Sequence, residues 1–245
     1  MESKKIASIE LGRLVAIFVV VAMHCQMFLT YFLYQETPWF GLIFNQVTRF
    51  AVPLFFLISG YLIHPKLTAA PMATLKSYCA PLARVFIVWS VICLLMPFNL
   101  QTAITEGYLT ERSGYWGFLA QAPLNSLLEG GLVHLWFIPA LMIAALITAV
   151  LVKIDKVRWL FPIAIVLYVY GVLAGSYQNI TELWTPFFTR NGPFFSTLMF
   201  AIGFLIRQKN IQATASQGII LALVGMVIHF SEAFYLVGYE QAFNS

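Results

Sequence analysis

Seven apolar stretches constrain what this chain can become: about Leu11–Leu33, Val47–Ile63, Pro81–Leu100, His134–Val152, Trp159–Ala174, Pro193–Ile206 and Gln217–Leu236. Roughly 20 apolar residues cross a bilayer as a helix, and inside hydrocarbon every backbone donor and acceptor must be satisfied internally. Only helices and closed barrels meet that condition. Runs such as Val15–Ala22 are apolar on every side and show no strand-like alternation. The expected fold is therefore all-α, a polytopic transmembrane helix bundle. The shorter stretches are expected to extend into polar flanks or to be covered by protein.

The composition agrees, since 60% of the 245 residues are hydrophobic and 10% are charged. Each ionisable group then lies in a loop, at an interface or in a protein-lined interior. With a cytoplasmic N-terminus, Lys4, Lys5, Lys66, Lys76, Arg84, Lys153, Lys156, Arg158, Arg207 and Lys209 fall inside, with Arg13 just within the first span. Arg49, Arg112 and Arg190 fall outside, as do Glu36, Glu106, Glu111, Glu129, Glu182, Glu232 and Glu240. This bias follows the positive-inside rule, so the net charge of +4 marks membrane topology. No basic patch interleaved with aromatics points to nucleic acid.

The first apolar run is too long for a signal-peptide core and has no small-residue cleavage pattern behind it, so it is expected to be retained. Cys25, Cys79 and Cys93 lack CxxC spacing and imply neither a disulfide framework nor a zinc site. The piece from Gln101 to Val133, with five glycines, Pro123 and the aromatics Tyr108, Tyr115, Trp116 and Phe118, is expected to be an outside loop, a lid or an interfacial anchor. The whole chain is expected to form one domain.

Four constellations carry polar groups into these spans. Arg13 and His24 are eleven residues apart, close to three turns, so they share one stripe of the first helix about 16 Å apart. Ionisable groups there usually face a buried interior and mark function. Glu10, three residues before Arg13, can pair with it. In the second run, Arg49 precedes Pro53, which is expected to kink the helix and free carbonyls, and Ser59-Gly60 permits close helix approach. His134-Leu-Trp136-Phe137 leads into the fourth span, where a His-Trp interface anchor is an equal alternative. Arg190-Asn191-Gly192-Pro193-Phe194-Phe195 leads into the sixth, with Gly203 further along.

Together these segments resemble the membrane-bound acyltransferase type 3 family, whose mark is an arginine, ten residues and a histidine in the first span. The compact bacterial members without a soluble domain are the most similar. The resemblance implies an O-acyltransferase of the bacterial inner membrane, moving acetyl from cytoplasmic acetyl-CoA to a hydroxyl of an envelope polysaccharide or lipid-linked sugar, with no metal. It also implies about ten spans, so seven suggest a bundle incomplete at its C-terminus. In this reading His24 is the general base or transient acyl carrier and Arg13 holds the donor. Glu10, Arg49, Ser59, His134, Trp136 and Arg190 bind donor or acceptor. The alternatives are a proton- or anion-coupled transporter and a noncatalytic membrane subunit.

Overall fold

The computed structural model describes residues 7–29 and 38–237, and these are helical with no strand. Lys4, Lys5, Glu36, Glu240 and the end of the first expected span, residues 30–33, lie outside the described residues. Twelve α-helices follow in order: α1 (Ala7–His24), α2 (Trp39–Thr48), α3 (Ala51–Ala69), α4 (Pro71–Leu95), α5 (Leu100–Thr105) and α6 (Tyr108–Ala120). Then come α7 (Pro123–Glu129), α8 (Phe137–Lys153), α9 (Leu160–Leu173), α10 (Gln178–Thr181), α11 (Pro193–Gln208) and α12 (Ala215–Val237). Three short 3-10 turns precede α8, α9 and α11. Five segments are long and apolar enough to cross a membrane: Ala7–His24, Trp39–Ala69, Pro71–Leu95, Val133–Lys153 and Ala215–Tyr235. Val157–Leu173 and Pro193–Gln208 are shorter apolar helices. All seven expected stretches thus contain a helix, and the chain is a multi-pass membrane protein.

The chain divides into two compact units, residues 7–62 with 202–237 and residues 63–201. In the first, α1 packs on α2. Its Leu11, Leu14, Ile17, Phe18 and Val21 stay exposed, as do Ile219–Val224 of α12, surfaces that lipid tails solvate as well as protein does. Gly203 of α11 lies against the Leu57 carbonyl of α3, where a Cβ would overlap the backbone. That close crossing is where a small residue is required.

In the second unit α8 is central. It buries Ala140, Leu141, Ala144, Ala145, Thr148 and Ala149, a face of mostly small side chains that lets neighbouring helices approach, above all α4. Thr148 returns its hydroxyl to the Ala144 carbonyl at 2.8 Å, so the buried oxygen is satisfied within its own helix.

Four expectations change. α1 stops at His24 and does not run on to Leu33, because Gln26 adopts φ 49° and closes the helix. The Met27 amide reaches Ala22 O at 3.1 Å and the Gln26 amide Met23 O at 3.1 Å, the paired reversed bonds of a Schellman end. Pro53 does not kink a span. The helix is interrupted at Arg49–Phe50 and Pro53 falls in the first turn of α3, where its missing N–H costs no intrahelical bond. Pro71, at the N-terminus, opens α4, and Pro81 lies inside it. Gln101–Val133 is not a loop but three short helices. Its glycines and prolines punctuate them: Gly107 at φ 99° precedes α6, Pro123 opens α7 and Gly130 at φ 65° ends it.

α6 closes the end of α4. The last four carbonyls of a helix have no intrahelical partner. Here Ile92 O accepts from the Met96 amide at 2.8 Å, and Cys93 O from Arg112 Nη1 at 3.2 Å. Leu94 O accepts from Trp116 Nε1 at 3.0 Å, and Leu95 O from the Tyr108 hydroxyl at 2.6 Å. Two of the aromatics expected at the membrane surface, Tyr108 and Trp116, thus cap a membrane helix, while Tyr115 donates to Gly131 O at 2.8 Å and Phe118 stays exposed. Arg112, fully buried, is sandwiched between the Phe98 and Tyr115 rings at 5.0 and 4.9 Å and paired with Glu111. The hydrogen bonds from Arg112, aided by the Asn99 and Phe98 amides, hold the Glu111 carboxyl down at about 2. Burial pushes the Tyr115 hydroxyl up.

Candidate active site

The candidate residues fall in both units, and each set is described within its own. In the first unit, α1 carries Glu10, Arg13 and His24 on one continuous helix. The expected pair forms, with Arg13 Nη1 at 3.3 Å from Glu10 Oε1. Both side chains are about half exposed, at 46% and 53%, and His24 is exposed too. The stripe is therefore not buried as expected. The buried residue of α1 is Ala16, about 60° around the helix from Arg13 and about 80° in the same sense from His24, so the stripe borders one side of the packed face. His24 occupies the last position of α1, and the turn after it is pinned by Phe28, whose ring meets Phe40 at 5.0 Å and Phe44 at 5.4 Å on α2.

Arg49 caps the C-terminus of α2, its amide bonded to Gln46 O at 3.3 Å, and is half-buried. Ser59 is half-buried on α3. One turn before Arg49, buried Gln46 meets His229 of α12, Oε1 to Nε2 at 3.0 Å. The sequence reading passed over His229. The signal was present, an ionisable residue inside the last apolar run. Elsewhere in the same unit Arg207 Nη1 donates to the Tyr61 hydroxyl at 3.0 Å and lies over its ring.

In the second unit, His134 and Trp136 sit in the 3-10 turn Val133–Trp136 that leads into α8, His134 exposed and Trp136 half-buried. Arg190 sits in the turn Thr189–Asn191 that leads into α11. Both turns pack on α7 and α8, so these three candidates share one end of the unit. α7 is one of the two elements they have in common, and it carries polar residues outside the sequence-expected set. Asn125 Oδ1 accepts from the Phe188 amide at 2.7 Å and from Asn191 Nδ2 at 3.2 Å. Glu129 Oε1 accepts from Asn191 Nδ2 at 2.7 Å and Arg190 Nη2 at 3.1 Å. Asn125 and Glu129 are four apart and so share a face of α7. Ser126 and Leu127 of the same helix line an apolar groove of about 750 Å³ with Phe86, Leu94 and Trp116. The signal for Asn125 and Glu129 was weak, since this segment looked like a loop.

Among the described residues no cluster of His, Cys, Asp and Glu could hold a metal ion. The arrangement offers an imidazole and a guanidinium on one helix in the first unit. The second unit offers an ion pair in a hydrogen-bonded polar cluster.

The chain is 28% identical to a serine/alanine racemase of Enterococcus gallinarum, over 93% of this chain and 33% of that protein. It is likewise 28% identical to an amino-acid racemase of Enterococcus faecalis, over 82% of this chain and 28% of that protein. The chain therefore spans about a third of the length of the curated relatives it matches. No solved structure matches it. A family model described as acyltransferase domain matches residues 6–244, and the chain belongs to that acyltransferase family.

Proposed function

We propose that this chain is a membrane O-acyltransferase that moves an acetyl group from cytoplasmic acetyl-CoA to a hydroxyl of an envelope polysaccharide or lipid-linked sugar. The observation that carries the reading is Arg13 and His24 on one unbroken helix, eleven residues apart, in a chain matched throughout by the acyltransferase domain. The N-terminus lies in the cytoplasm of a bacterium, which puts most Lys and Arg residues inside. The membrane is the inner one, which borders the cytoplasm that holds the donor.

His24 takes the proton from the acceptor hydroxyl as its oxygen attacks the thioester carbonyl. The tetrahedral oxyanion collapses, the C–S bond breaks, and the CoA thiolate recovers the proton from the imidazolium. Imidazole suits both transfers because its ordinary pKa lies near neutrality. Arg13, about 16 Å away along the helix, is too distant to touch the same carbonyl and binds a phosphate of the long donor. Its pairing with Glu10 orients the guanidinium. His134, Trp136, Arg49 and Arg190 bind the acceptor from outside, and Ser59 lines the path. No step needs a metal.

The test is transfer of label from acetyl-CoA in membranes. Arg13→Ala raises KM for acetyl-CoA about tenfold, the worth of a charge-assisted hydrogen bond, while KM for acceptor is unchanged. An unchanged donor KM removes Arg13 from the donor site. The names of the relatives favour a second reading, in which the domain binds or moves a small amino acid. Flux of labelled serine without acetyl transfer selects it.

A further inference from the structure

The Glu129–Arg190 pair is more than a structural tie. Glu129 uses one oxygen, Oε1, for both of its hydrogen bonds, and Oε2 has no partner among the described residues. Arg190 spends Nη2 on Glu129, and Nη1 has no partner among them. The pair is accessible, with Glu129 12% and Arg190 36% exposed. It thus carries one free acceptor and one free donor on the same ion pair. A hydroxyl both donates and accepts, so two adjacent hydroxyls can give a proton to Glu129 Oε2 and accept from Arg190 Nη1.

The frame around this pair is rigid. The Arg190 guanidinium lies over the Phe188 ring at 4.8 Å. Asn191 is fully buried, and because a carboxylate only accepts, its Nδ2 must face Glu129 and its Oδ1 must face away. That Oδ1 is buried without a hydrogen-bond partner, and so is Arg190 Nε. Both atoms are closed off from solvent and belong to the packed frame behind the exposed pair. Gly130, immediately after Glu129, supplies the positive φ that ends α7 there, and a Cβ on it would overlap Ser90 Oγ.

We infer that Glu129 and Arg190, backed by Asn125 and Asn191, form a vicinal-diol subsite that binds the sugar of the acceptor. This deepens the acyl-transfer reading and rests on it for the ligand's role as acceptor. The subsite recognises two neighbouring hydroxyls through one carboxylate oxygen and one guanidinium nitrogen, which makes a sugar a better ligand than a simple alcohol. The diol is held and the hydroxyl to be acylated is a third one.

The test measures binding on the whole chain in lipid nanodiscs, by equilibrium dialysis of p-nitrophenyl glucoside against 4-nitrobenzyl alcohol, which has a single hydroxyl. Wild type binds the glucoside about tenfold more tightly than the alcohol, the worth of a charge-assisted hydrogen bond. Glu129→Gln keeps the shape, removes the charge and loses the preference. Arg190→Lys keeps the charge, removes the planar fork and loses it too, which covers the case in which Glu129→Gln does not fold. No preference in wild type, or a preference intact in a folded Glu129→Gln protein, overturns the subsite. Acetyl label separates the two claims. Diol binding without transfer leaves the subsite standing and removes the acyl-transfer reading. Transfer with an unaltered preference in the variants does the reverse.

Discussion

His24 ends α1 because Gln26, two residues on, takes a left-handed conformation that a side chain disfavours by about 1–2 kcal/mol. The sequence offered no glycine at this point, so an apolar run continuing to Leu33 looked like one helix. The reversed bonds of the turn and the Phe28–Phe40–Phe44 ring cluster hold what propensity opposes. Gln26→Gly therefore raises Tm, by about 1 kcal/mol of stability, and a lower Tm contradicts the turn. The spacing of Arg13 and His24 was legible from helix periodicity alone, as was the Glu10–Arg13 pair. Their exposure was not, because periodicity gives a shared stripe without saying which stripe packs. Glu129 and Asn125 were illegible for another reason. Their partners Arg190, Phe188 and Asn191 lie about 60 residues along the chain, a separation no local pattern reports.

At the scale of the element, α6 shows how polar residues beyond a span serve it. Glycines and a proline suggested a loop, yet they cap short helices, and Arg112, Trp116 and Tyr108 cover the carbonyls at the end of α4. Glu111 positions Arg112 and also accepts from the Phe98 and Asn99 amides at the start of α5. Its carboxyl sits near 2, below the ordinary value of about 4.3, so the unfolded chain takes up its proton first. The stabilisation is complete above about pH 4.3 and is lost as pH falls toward 2. Tm measured from pH 6 to pH 2 should fall through that window in wild type, and less steeply in Glu111→Gln. Equal slopes would show that the clasp carries no linkage. By contrast, the seven apolar helices were legible because hydrocarbon enforces them, although polar flanks lengthened α3 and α4 beyond their apolar cores.

At the scale of the whole molecule, the acyltransferase domain match covers nearly the full chain, and the helical fold agrees with it. Apolar length and charge asymmetry sufficed to specify a membrane bundle. They could not specify the chemistry, for which a few polar residues are the candidates. The central claim is that His24 is the group that removes the acceptor's proton. Its most direct test is label transfer from acetyl-CoA to p-nitrophenyl glucoside in membranes carrying wild type or His24→Ala at equal abundance. Removing a general base lowers kcat by about 10²- to 10⁴-fold. Acetyl transfer at the wild-type rate by His24→Ala would contradict the account.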